Sequence, residues 1–262
     1  HRTFNFSKPN FKIDLVENEE AVYLITTSSD GRILQATPRL ITLDEFQSIR
    51  QRTLIFDIIF YGAIAILLLI NFLYSRMIRN NIYYFYGAYI LFGCLMYLFV
   101  EGRLYGLGLS HQLIDHLMFI SIRLWVLASI LFTIRFLETK SSNPTFYKFI
   151  ILMLCVTLGI PTIYQFVFFD SSISNLHITE NILGFIWIIL ALTTVALALK
   201  KSKQKPTYYL ISYSLFLFFV ALGLVDSHAT LLPGDPFSYF KIGTILEFIG
   251  FTYFIAILVK EK

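Results

Sequence analysis

The chain has 262 residues, of which 56% are hydrophobic, 17% aromatic and only 15% charged, with a formal net charge of +4. Soluble domains carry about 25% charged residues, so this composition belongs to a membrane protein and excludes a disordered chain, a disulfide scaffold and a nucleic-acid-binding domain. The two cysteines, Cys94 and Cys155, both lie within apolar runs, which leaves no disulfide framework and too few thiols for a metal site.

Residues 1–42 carry a strand-like pattern. Phe11, Ile13 and Leu15 alternate with Lys12 and Asp14, residues 21–27 are rich in Val, Tyr, Ile and Thr, and Asp30-Gly31 offers a hairpin turn before residues 33–36. About three antiparallel strands are expected. So few strands are marginal on their own, and the chain opens on His1 with neither an initiator Met nor a signal peptide. The expectation is therefore the C-terminal part of a larger extracellular β domain. Thr42 and Glu45 fit a capping box. From Leu43 no Gly or Pro interrupts a helical lead-in over residues 43–53, through Arg50 and Arg52 into the first span. Such a helix either couples the β domain rigidly to the membrane or is only a solvated lead-in.

Residues 54–262 contain seven apolar runs, at 54–74, 82–100, 113–134, 149–169, 182–199, 208–225 and 240–259. Each approaches the roughly 20 residues that cross a bilayer. The fold class is an all-α membrane protein, a seven-transmembrane-helix bundle, preceded by a partial extracellular antiparallel β domain. Eleven Lys and Arg residues flank one set of span ends, among them Arg76, Arg135, Lys140, Lys201, Lys205 and Lys260. The connections on the other side hold only Arg103, or three cations once Arg50 and Arg52 are added. This bias places the N-terminus outside and the C-terminus in the cytoplasm.

Tyr83, Tyr84, Tyr86 and Tyr89 crowd the cytoplasmic half of the second span, and Tyr208 and Tyr209 open the sixth, as interfacial anchors do. Asn143-Pro144 and Asp235-Pro236 read as N-cap and first-turn pairs for the fourth and seventh spans, and Pro161 should kink the fourth. Past the seventh span, Glu261 and Lys262 lie where a cytoplasmic module would begin.

Ionisable residues inside spans face the bundle interior and pair. Here they are Asp57, Asp115, His116, Arg123, Lys241 and Glu247, with Asn71 as an amide. They form a polar core or a ligand-binding pocket open to the outside. At 1.5 Å per residue, Glu247 lies roughly 10 Å below the outer boundary and Arg123 roughly 9–15 Å, so an Arg123–Glu247 ion pair between the third and seventh spans is expected. Three stripes follow helical spacing: Asp57, Tyr61, Ile64, Leu68 and Asn71; His116, Ile120, Arg123 and Leu127; and Gly243, Glu247 and Gly250. The small residues of the third permit close helix contact. No catalytic residue, cofactor or nucleic-acid partner is expected.

Three other classes compete. A metal-dependent membrane hydrolase would draw on His111, Asp115, His116, Asp226 and His228, though no metal site is assigned. A retinal protein would need Lys241 as its Schiff base, but Lys241 opens the seventh span, where a lysine ordinarily snorkels to the surface. A transporter would show inverted repeats, and none is visible. Gly106-Leu107-Gly108 follows no strand and is no phosphate cradle.

Several short motifs recur in order. They are Tyr61-Gly62, Ile70-Asn71-Phe72-Leu73, Arg79 with Tyr83-Tyr84, Gly102 and Tyr105, Arg135-Phe136-Leu137, and Ile242-Gly243 with Leu246-Glu247. With Val22-Tyr23-Leu24 to Leu40 and the Asp44-Glu45-Phe46 lead-in, this order resembles the bacterial seven-transmembrane receptors with diverse intracellular signalling modules. The resemblance implies a bacterial inner-membrane sensor whose extracellular jelly-roll domain binds a small molecule of carbohydrate type. It also implies a cytoplasmic kinase, cyclase or phosphatase module in the full-length protein. The bundle is expected to signal by shifting helix packing, with the outer polar groups biasing two arrangements. Membrane lipids and a second copy, as a homodimer, complete the expected partners.

Overall fold

In the computed structural model the described residues are Ile13, 40–78, 80–104, 108–229 and 236–260. Apart from Ile13, the expected strands over residues 11–36 lie outside them, as do Asp235, Arg79 and Tyr105. Among the described residues every regular element is a helix: α1 (Leu43–Ile78), α2 (Ile82–Val100), α3 (His111–Phe136), the single turn α4 (Thr139–Ser142), α5 (Pro144–Leu199), α6 (Gln204–Ala229) and α7 (Pro236–Lys260). Seven segments are long and apolar enough to cross a membrane, since α5 supplies two, Pro144–Phe168 and Ile178–Leu199.

Local chemistry sets the starts. Thr42 Oγ1 accepts the Glu45 N–H at 3.2 Å, Ser110 Oγ that of Leu113 at 3.2 Å, and Asn143 Oδ1 that of Phe146 at 3.1 Å, with Pro144 in the first turn. Each satisfies an otherwise orphaned donor. As its sequence predicts, α1 runs unbroken through Arg50 and Arg52. Its 36 residues measure about 54 Å. That exceeds a hydrocarbon core of roughly 30 Å, so one end projects beyond it.

The polar connection expected over residues 170–181 is helical instead. Nothing between Pro161 and Gly184 breaks a helix. Yet α5 is not one rod. Arg123 bonds both Thr162 and Glu180, eighteen positions and about 27 Å apart on a straight helix. Ile150 and Trp187 share one apolar cluster, and Lys201 Nζ donates to the Ser142 carbonyl across the two ends of the element. The chain therefore folds back between Gln165 and Glu180.

The helices close a ring. α1 packs on α2, α2 on α3, α3 on α5, α5 on α6, α6 on α7, and α7 back on α1. Two ends result. The lysine-rich end holds the α1–α2, α3–α5 and α5–α6 connections. The lysine-poor end holds the α2–α3 and α6–α7 connections and the fold in α5. The inward face of α1 is Asp57, Phe60, Ile64, Leu67, Asn71 and Ser75, a helical stripe, while Ile58, Ile59, Ile66 and Leu69 remain exposed for lipid. Against α6, α7 presents Gly243 and Gly250, where an added Cβ would sit 2.8 Å from Phe219 Cβ and 2.6 Å from Ser212 Oγ. This is the close approach that small residues allow in membranes.

The anchor reading of the tyrosines is corrected. Tyr83, Tyr86, Tyr89 and Tyr209 are at most 3% exposed, and of the six only Tyr84 lies well out, at 59%. Tyr208 is half-buried and stacks on Phe254. The hydroxyls of Tyr86, Tyr89 and Tyr209 find partners in the middle of the bundle, while that of Tyr83 is buried without one among the described residues. Tyr97 OH bonds Thr244 Oγ1 at 2.6 Å, Tyr209 OH bonds Thr133 Oγ1 at 2.8 Å, and Tyr86 OH donates to the Phe248 carbonyl.

Candidate functional site

At the lysine-poor end four charges alternate in a ring. Asp57 lies on the inward face of α1. Glu101 caps the C-terminus of α2, and Gly102, at φ 67°, turns the chain so that Arg103 comes back beside it. Lys241 sits in the second turn of α7. Lys241 Nζ reaches Asp57 Oδ1 at 2.7 Å and also pairs with Glu101 Oε1. Arg103 pairs through Nη2 with Asp57 Oδ2, and its Nε lies 3.5 Å from Glu101 Oε2. Tyr61 OH donates to the same Glu101 oxygen at 3.0 Å.

Each carboxylate thus bridges both cations, and the four charges cancel. Lys241 is only 2% exposed, with its ammonium 4.9 Å from the Phe60 ring centre. The expectation of a snorkelling lysine is corrected: two carboxylates and an aromatic wall offset what desolvation costs. Partial burial pulls the Arg103 guanidinium down from its usual pKa, which starts so high that the charge persists at neutral pH. Chemically the ring is a clasp. It ties α1, the exit of α2 and the start of α7 together, and any motion of one helix against the others must break a desolvated pair.

A second network holds α3 to α5. Arg123 is 4% exposed. Its Nη2 and Nε reach Glu180 Oε1 at 2.5 and 2.7 Å, and its Nη1 reaches Thr162 Oγ1 at 3.0 Å and Gln165 Oε1 at 2.7 Å. Gln165 Nε2 in turn contacts His116 Nδ1 at 3.0 Å and donates to the His116 carbonyl at 3.1 Å. The expected Arg123–Glu247 ion pair is therefore corrected. Arg123 points toward the fold in α5, whose second arm begins with the carboxylate that satisfies it.

Glu247 occupies a third place. It is 1% exposed, and both its oxygens accept from Tyr89 OH at 3.0 Å. Tyr89 stacks on Trp125 at 6.1 Å between ring centres. Among the described residues no cation pairs with Glu247. Asp115 is buried at the start of α3, next to His116.

The six candidate residues thus do not converge. Asp57 joins Lys241, His116 joins Arg123, and Glu247 stands apart. Three partners were missed: Glu101 and Arg103 read as connection residues, and Glu180 as part of a polar loop. The only signal was Glu101 and Arg103, opposite charges two residues apart where α2 ends. For the metal reading, the side chains of His111 and His228 lie outside the described residues. Among those described, no three His, Cys, Asp or Glu side chains gather to hold an ion.

Seven spans in a ring, clasped at one end by charge, call for a comparison with known families. The family model described as 7TM diverse intracellular signalling matches residues 53–257. The chain belongs to the 7TM diverse intracellular signalling family. The matched region contains the whole charge ring, five of the seven membrane-length segments entirely and most of the first and last, so the clasp lies within the seven-transmembrane domain of the 7TM diverse intracellular signalling proteins. No curated protein and no solved structure matches the chain.

Proposed function

We propose that this chain is the membrane region of a bacterial inner-membrane receptor that passes an extracellular binding event to a cytoplasmic effector. The N-terminal segment lies outside and senses a small molecule of carbohydrate type, and the C-terminal end of α7 leads to the effector. The lysine and arginine bias supports this orientation, and the family supports the receptor class.

The observation that carries the reading is the direct link between α1 and α7. Helix α1 runs unbroken from Leu43, beside the N-terminal segment, to Asp57, where Lys241 grips it. A push or rotation on α1 therefore arrives at α7 through one desolvated ion pair. A ligand shifts the balance between two packings only through its different affinity for each, and the clasp is the element whose closed form it would favour or disfavour.

The test uses the full-length receptor with its effector. Asp57→Asn keeps the shape and removes one charge. Effector output in the absence of stimulus should shift, and a chain of normal abundance with unchanged output would sink the reading. A topology reporter fused after Lys262 should be active only as a cytoplasmic fusion.

A further inference from the structure

The lysine-rich end contains a cleft of about 110 Å³ between α3, α6, α7 and the start of α2. One part of its lining is polar: Asn80, Arg135, Glu138 and Lys205. Arg135 is exposed and makes no ion pair among the described residues. Lys205 Nζ lies 2.6 Å from Glu138 Oε1, and Glu138 reaches it from a left-handed turn at φ 51°, a conformation that residues with a Cβ rarely adopt. Asn80 Oδ1 accepts the Ile82 N–H at 3.1 Å, which leaves the amide N–H groups to donate. With one carboxylate and two cations, the lining carries a single net positive charge.

The rest of the lining is apolar: Ile82, Phe136, Ile255, Leu258 and Val259. These residues belong to the first turn of α2 and the last turns of α3 and α7, so the cleft opens at the level where the spans end. A free inorganic anion gains nothing from an apolar wall. An amphiphile with one negative phosphodiester and hydrocarbon beside it matches the charge, the donors and the wall together. Basic pockets between helices at this depth bind anionic headgroups.

We propose that this cleft binds an anionic phospholipid, with Arg135 as the principal phosphate ligand, Asn80 and Lys205 as further donors, and the acyl chain against Leu258 and Val259, the half-buried part of the apolar wall. An occupied cleft braces the last turns of α7 against the end of α3. Lipid composition thereby acts on the same helix that the charge ring grips at the other end.

Native mass spectrometry of the full purified chain, loaded in parallel with phosphatidylglycerol and phosphatidylcholine, tests this. Phosphatidylglycerol should survive activation that strips phosphatidylcholine. Arg135→Gln should cut its retention by about fivefold, roughly the worth of one cation at an anionic surface. Arg135→Lys should restore part of the loss. Lys148→Gln, an exposed cation outside the cleft, should change nothing. Equal retention of the two lipids, an unaffected Arg135→Gln, an equal loss in Lys148→Gln, or displacement by excess inorganic phosphate would each overturn the proposal.

Discussion

The Lys241 ammonium on α7 lies 2.7 Å from the Asp57 carboxylate on α1, across 184 positions of sequence. This pair closes the ring of helices directly between its first and last members. Glu101 and Arg103 complete it from the α2 exit.

Asp57→Ala should destabilise the bundle strongly. Breaking a buried pair costs up to about 3–5 kcal/mol, and the loss here is smaller because Glu101 still faces Lys241. In Lys241→Met the same Asp57 substitution should cost less, with a coupling of about 0.5–3 kcal/mol. Thermal melts of the four variants in detergent read the cycle.

Arg123 offers a choice between two partners. Arg123→Leu and Glu180→Leu should be coupled, because either alone strands the other charge. Arg123→Leu and Glu247→Leu should add within about 0.5 kcal/mol, as sites without shared partners do. Coupling in the second pair and none in the first would contradict the geometry.

Tyr89→Phe removes the hydroxyl that serves both Glu247 oxygens. The cost should be about 1–3 kcal/mol in the native background. Where Glu247 is already Leu, it should shrink to that of the hydroxyl alone. Melting temperatures of the single and double variants decide this.

Packing of α6 on α7 gives a contrast between two glycines. Gly250→Ala meets Ser212 and should cost about 1–3 kcal/mol. Nothing lies within 4 Å of a Cβ on Gly62. Gly62→Ala should therefore be neutral or stabilising by up to about 1 kcal/mol, since Ala favours a helix over Gly. Thermal unfolding in one detergent separates the two.

Seven spans, the caps at Thr42 and Asn143 and the buried face of α1 were all legible in the amino-acid order. These are local properties: apolar length, a polar residue before a first turn, and a stripe that repeats every 3.6 positions. The failures were of a different kind. Depth arithmetic put Arg123 and Glu247 at one level but knew nothing of which faces of their helices oppose. Arg123 turns instead to Glu180, in a stretch that looked like a loop because its residues are polar. Lys241 seemed to stand at the surface because it opens the seventh span, whereas its two carboxylates come from α1 and the end of α2. The tyrosines of α2 suit a headgroup layer or a wet-tipped core equally well, and only neighbours with free hydroxyls and carbonyls choose between them. Local sequence sets which segments enter the membrane and roughly how deep each residue lies. Which charges meet depends on the rotation and adjacency of helices far apart in the chain, and those emerge only when the ring closes.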